Sequence, residues 1–184
     1  MPHLFCPQRK IRKSRLSKGV DNDDPPLPTW YGLHPLVVHF PIALLLTAPV
    51  LVVLAILFRN EHRSCAVAAL TIMILGCVSA FVAAASGEAA GQVADRSEDI
   101  NRVMAEHEKL AETVCVVFSI LTVTFAGLTF LPVLLKKELS SRLRTIATSM
   151  FLAVYFAAGL LVVNTGHLGG RLVHEFGVKS IVAK

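Results

Sequence analysis

His34-Pro35-Leu36-Val37-Val38-His39-Phe40-Pro41 decides how the rest of the chain is read. It opens a run from Pro35 to Phe58 that contains no Asp, Glu, Lys or Arg. Such a run is long enough to cross the ~30 Å hydrocarbon core of a bilayer as a helix. Pro35 falls where a helix start tolerates proline best, and Pro41 and Pro49 each remove a backbone donor further in. Kinks are therefore expected, with carbonyls freed near Pro41 beside His39. A histidine one turn inside an apolar span is expensive in lipid, so His39 is expected to face protein or water.

Working outward, three further runs have the same character. The spacing predicts spans over about 35–58, 65–86, 113–135 and 145–166. Glu98 to Leu110 forms an amphipathic approach to the third. On that approach Ile100, Val103, His107, Leu110 and Val114 share one stripe, so His107 points with the apolar residues. The chain is 54% hydrophobic and 17% charged over 184 residues. That composition fits an all-α membrane protein, an up-down four-helix bundle in a lipid bilayer. Residues 1–32 read as a disordered basic, proline-rich tail and residues 33–184 as the transmembrane domain. The formal charge of +5 does not point to nucleic acid, because Arg9, Lys10, Arg12, Lys13, Arg15 and Lys18 all sit in that tail. Trp30 and Tyr31 mark a membrane interface.

An even number of spans fixes where the polar groups go. If the first helix starts on side A, the second and fourth return there and the third leaves from there. His34, His39, Glu88, His107 and His167 then gather at one end. Side B carries Arg59, Arg63, Lys136, Lys137, Arg142 and Arg144 in short loops. The positive-inside rule makes side B cytoplasmic and turns the histidines to the periplasmic or extracellular face of the cell membrane.

The opening His34-to-Leu44 stretch, the Ser86-Gly87-Glu88-Ala89-Ala90-Gly91 step, the lone His107 and the closing Gly166-His167-Leu168-Gly169-Gly170 together resemble the DUF2231 membrane proteins. The likeness runs from Leu33 to Val178. It implies four transmembrane helices. Relatives fused to Rieske-type iron–sulfur or cytochrome c domains imply a place near membrane electron transfer, with such a redox protein as partner.

Three readings of the histidine end follow. In one, two imidazoles from separate helices hold a haem b, with His39 and His107 as the best-placed pair. His34 and His167 are then second ligands, propionate partners or a second pair, and Arg171 pairs with a propionate. In another, His39, His107, His34, His167 and Glu88 ligate a bare transition metal ion. Against this, His34 and His39 lie about 140° apart on a regular helix of 3.6 residues per turn. In the third, no cofactor is present and hydrogen bonds lock the helix ends. The Ser86-to-Gly91 step reads as the end of the second helix. Gly169-Gly170 reads as a chain reversal first, and as a close approach to a flat ligand second. Cys6, Cys65, Cys77 and Cys115 form no CxxC pair and read as small buried hydrophobes. No nucleophile triad, phosphate-cradling loop or paired carboxylates stand out, so the reading favours an electron-transfer or anchor subunit over a stand-alone enzyme.

Overall fold

The computed structural model describes residues 30–94, 97–137 and 140–178. The basic tail, apart from its last few residues, lies outside them. A 3-10 turn, Trp30–Leu33, leads into α1 (His34–Val37) and α2 (His39–Leu57). Then follow α3 (His62–Val93), α4 (Glu98–Leu134) and α5 (Ser141–His174), with no strand among the described residues. Among the described residues, four spans are long and apolar enough to cross a membrane: His34–Leu57, His62–Val93, Glu98–Leu134 and Ser141–His174.

The break between α1 and α2 has a local cause. Pro41 has no N–H for the carbonyl of Val37, and its ring crowds that carbonyl. Helical bonding survives on either side, Val38 N–H to His34 at 3.1 Å and Ile42 N–H to Val38 at a stretched 3.4 Å. Pro49 creates a second gap by leaving the Leu45 carbonyl without its helical donor. The buried Tyr155 hydroxyl fills it, donating to Leu45 O at 2.9 Å.

Each helix packs on its sequence neighbours, and α5 returns to α2. Among the described residues the backbones of α2 and α4, and of α3 and α5, do not approach closely, so the helices form a four-sided ring around their shared side-chain core. At Gly76 a Cβ would lie 2.6 Å from Leu45 Cδ2, so the missing side chain is what lets α2 and α3 come together. The core runs through the middle as Leu45, Val52, Met73, Phe118, Phe125 and Tyr155, all almost fully buried. Phe118 meets Tyr155 edge-on at 5.1 Å between centroids, and Phe125 stacks on Phe151 at 4.9 Å. Such geometry adds about 0.5–1.5 kcal/mol per pair beyond area burial. Outside, Leu57, Ile120, Val123, Met150 and Leu160 are exposed, as a lipid-facing surface requires.

The helices at side A are longer than the spacing predicts. α3 continues through Ser86–Gly91 to Val93, and α5 continues through Gly166–Gly170 to His174. Neither glycine-rich stretch ends its helix, and Gly169-Gly170 is not a chain reversal. Glycine lowers helix stability by about 1 kcal/mol each against alanine, and packing overrides that here. The approach Glu98–Leu110 and the third span are one helix of 37 residues, about 55 Å long at 1.5 Å per residue. It starts at Ser97, whose hydroxyl accepts from Ile100 N–H, with Glu98 and Asp99 in the first turn. Beyond the main core, Val103 and Met104 of α4 pack with Leu168 and Leu172 of α5.

The span count has a direct test. In protein whose native cysteines are replaced by alanine, Asn60→Cys and Ser140→Cys are expected to react with an impermeant thiol reagent from one face of the membrane. Gln92→Cys and Ser97→Cys are expected to react from the other. Labelling of Asn60→Cys and Ser97→Cys from the same face contradicts the four-span topology.

Candidate functional site

At side A the helices line a partly open cavity of about 910 Å³, in the upper part of the ~300–1,000 Å³ range typical of ligand sites. His34, His39, His107 and His174 line it, with Glu88, Glu108 and Glu112 and a mostly apolar remainder. Among the described residues, no Lys or Arg lines it.

Two of these histidines are held by the main chain of other helices. His34 Nδ1–H donates to the Ala83 carbonyl at 3.0 Å and to Ser86 Oγ at 3.1 Å. The fully buried Ser86 hydroxyl donates its own proton to the same carbonyl at 2.9 Å. His107 Nδ1–H donates to the Thr165 carbonyl at 3.0 Å. A carbonyl only accepts, so Nδ1 carries the proton on both rings, and in the neutral imidazole Nε2 keeps its lone pair. Neither Nε2 has a hydrogen-bond partner among the described residues. The two ring centroids are 6.5 Å apart and the planes nearly perpendicular, at 83°.

Small residues make this arrangement possible. A Cβ at Gly87 would sit 2.7 Å from His34 Cε1, and one at Gly169 would sit 3.2 Å from His107 Cε1. Both glycines are mid-helix, so their use is the close approach of an imidazole. Gly166 and Gly170 face open space. Gly87→Ala is therefore expected to push His34 off its carbonyl and destabilise the site despite the better helix former. Gly170→Ala is expected to be neutral or to raise stability by up to about 1 kcal/mol. Thermal unfolding of the two purified variants compares them; equal shifts would show that His34 does not depend on the space at Gly87.

The structure sorts the residues singled out from the sequence. His34, His39, His107 and Glu88 share the cavity, but the pair in ring contact is His34 with His107. His39 stands at the lining with an exposed side chain. Glu88 is exposed and has no hydrogen bond or ion pair among the described residues. His167 is exposed and does not line the cavity. Arg171 also lies outside the lining, and its Nε donates to Glu175 Oε2 at 2.9 Å one helical turn on. Among the described residues no three His, Cys, Asp or Glu side chains converge as a metal-ligand group. Sequence spacing did not single out Thr165, whose carbonyl aims one ring, or Ser86, read only as part of a helix end. Backbone acceptors leave no trace in residue type.

The family model described as predicted membrane protein (DUF2231) matches residues 31–181. No curated protein and no solved structure matches the chain. The match takes in all four spans and every residue of the His34–His107 site, and the chain belongs to the DUF2231 family of predicted membrane proteins.

Proposed function

We propose that this protein holds one haem b between His34 and His107 at side A and serves membrane electron transfer. The observation that carries the reading is the pair of imidazoles from separate helices, each fixed through Nδ1–H by a carbonyl and each with an unpartnered Nε2. Metal-bound histidines are held in this way, because the outer hydrogen bond sets the tautomer and raises ligand basicity.

The dimensions fit. With metal–nitrogen bonds of about 2 Å and ring centres about 1 Å beyond, two imidazoles sharing one metal have centroids roughly 6 Å apart. The observed 6.5 Å is close to that. A haem needs only two protein ligands. When bound, haem supplies one-electron redox chemistry. The chain itself orients the two ligands, through Ala83, Ser86 and Thr165, and surrounds them with an apolar wall. This assignment replaces His39 by His34 in the ligand pair expected from spacing. It also gives Arg171 no part, since that guanidinium is engaged by Glu175.

A second reading, a bare transition metal ion, draws on one observation. Glu88, Glu108 and Glu112 line the same cavity with no Lys or Arg among its described lining residues, a setting that favours a metal ion over haem propionates. Absorption spectra and metal content of detergent-purified protein, expressed with haem precursor and iron supplied, separate the readings. A Soret band that sharpens on reduction is the expected result. Stoichiometric metal without a Soret band selects the bare ion. Absence of both leaves His34 and His107 as hydrogen-bonded fastenings of the helix ends and overturns the haem assignment.

A further inference from the structure

The opposite end of the bundle holds a second cavity, of about 520 Å³. Arg59 borders it from the α2–α3 turn, Arg63 from the first turn of α3, Lys136 from just past the end of α4 and Arg144 from the first turn of α5. None of these four cations has an ion-pair partner among the described residues. The deeper wall is apolar, with Ala55, Ile56 and Phe125.

Two backbone features add to the charge. α3 begins at His62 with no side-chain cap from Glu61, so a 32-residue helix presents uncapped N–H groups beside the cavity. Such a terminus attracts anions. At the end of α4, Lys137 N–H bonds Pro132 O at 3.0 Å and Lys136 N–H bonds Val133 O at 3.2 Å. This is the paired-bond helix stop whose central position normally takes glycine. Lys136 occupies it at φ 50°. A long cationic side chain thus stands where the backbone favours none, at the edge of a cavity already ringed by arginines.

We infer that this cavity binds a phosphate group, with Arg59, Arg63, Lys136 and Arg144 as its cationic partners. A phosphate bridges these arginines well, since a guanidinium can donate two parallel bonds to it. The positive-inside rule assigns this end to the anionic cytoplasmic leaflet, where basic pockets between helices take lipid headgroups. The phosphate can then come from a phospholipid, whose chain lies along the apolar wall, or from solution. The site stands apart from the histidine end, and its test does not involve haem.

Full-length protein in neutral detergent is given equal amounts of phosphatidylglycerol and phosphatidylcholine and observed by native mass spectrometry. Preferential retention of one phosphatidylglycerol is expected. Arg63→Ala with Arg144→Ala is expected to lower that retention about tenfold, or ~1.4 kcal/mol. Lys137→Ala with Arg142→Ala removes the same charge outside the cavity and is expected to leave it within about twofold. Equal loss in both double variants, or no preference in the wild type for phosphatidylglycerol together with no stabilisation by inorganic phosphate, overturns the inference. Inorganic phosphate that both displaces the lipid and raises the unfolding temperature makes free phosphate the source; lipid binding unaffected by it makes the headgroup the source. Lys136→Gly gives an independent readout. It is expected to raise the unfolding temperature by a few degrees without anion, while reducing the further rise that phosphatidylglycerol brings. A variant that keeps the full lipid-induced rise removes Lys136 from the site and counts against the assignment.

Discussion

Under the proposed haem assignment, alanine at His34 or at His107 is expected to abolish the haem spectrum of the purified protein, while alanine at His39, His62 or His167 leaves it in place. The two effective positions are those whose Nδ1–H is committed to a carbonyl on another helix. Removing either ligand leaves the other imidazole facing an empty coordination position, so the loss is expected to be near complete. Ser86→Ala has a smaller predicted effect. It deletes one of the two acceptors at His34 and leaves the Ala83 carbonyl, so affinity should fall by no more than about tenfold, the low end for outer-shell changes. The informative contrast is with His39. If His39→Ala bleaches the protein and His34→Ala does not, the ligand pair is the one helical spacing suggested. If all single variants stay red, the haem is held elsewhere.

Tyr155→Phe is expected to lower stability by about 1–3 kcal/mol, and Pro49→Ala is expected to recover much of that loss. Tyr155 is 1% exposed, and its hydroxyl is the donor that meets the Leu45 carbonyl. Proline four residues on has no N–H to offer that carbonyl, so deleting the hydroxyl leaves a buried acceptor unpaired. Phenylalanine keeps the edge-on contact with Phe118, which isolates the hydrogen bond as the group removed. Alanine at 49 restores a helical N–H at the right place. A double-mutant cycle in detergent should therefore show a favourable coupling of about 1 kcal/mol. Additive losses would mean that the two residues act independently and that the carbonyl finds another donor.

The bundle was legible because hydropathy and span parity are properties of whole segments. Four apolar runs can be counted without any side-chain geometry, and the count alone sends His34, Glu88 and His107 to one end. Helix ends were less legible. Ser86-Gly87-Glu88-Ala89-Ala90-Gly91 looks like a stop because glycine is a poor helix former. The reason for the glycine lies across the bundle, in the His34 ring that occupies the space at Gly87. Choosing between His34 and His39 was harder still. The helix around His39 is apolar on every side, so no polar face marks which way it is turned. His107 was legible, because its helix has charged positions from which the apolar stripe stands out.

The origin of the two facing rings has a consequence for assembly. His34 precedes the α2–α3 hairpin and His107 lies in the α4–α5 hairpin, and each ring is aimed by the second member of its own hairpin, through Ala83 and Thr165. Either hairpin inserted alone presents a single, already oriented imidazole. A group that needs both can be captured only after the two halves have met. If the protein carries such a group, as proposed, its loading separates finished molecules from half-built ones during biogenesis.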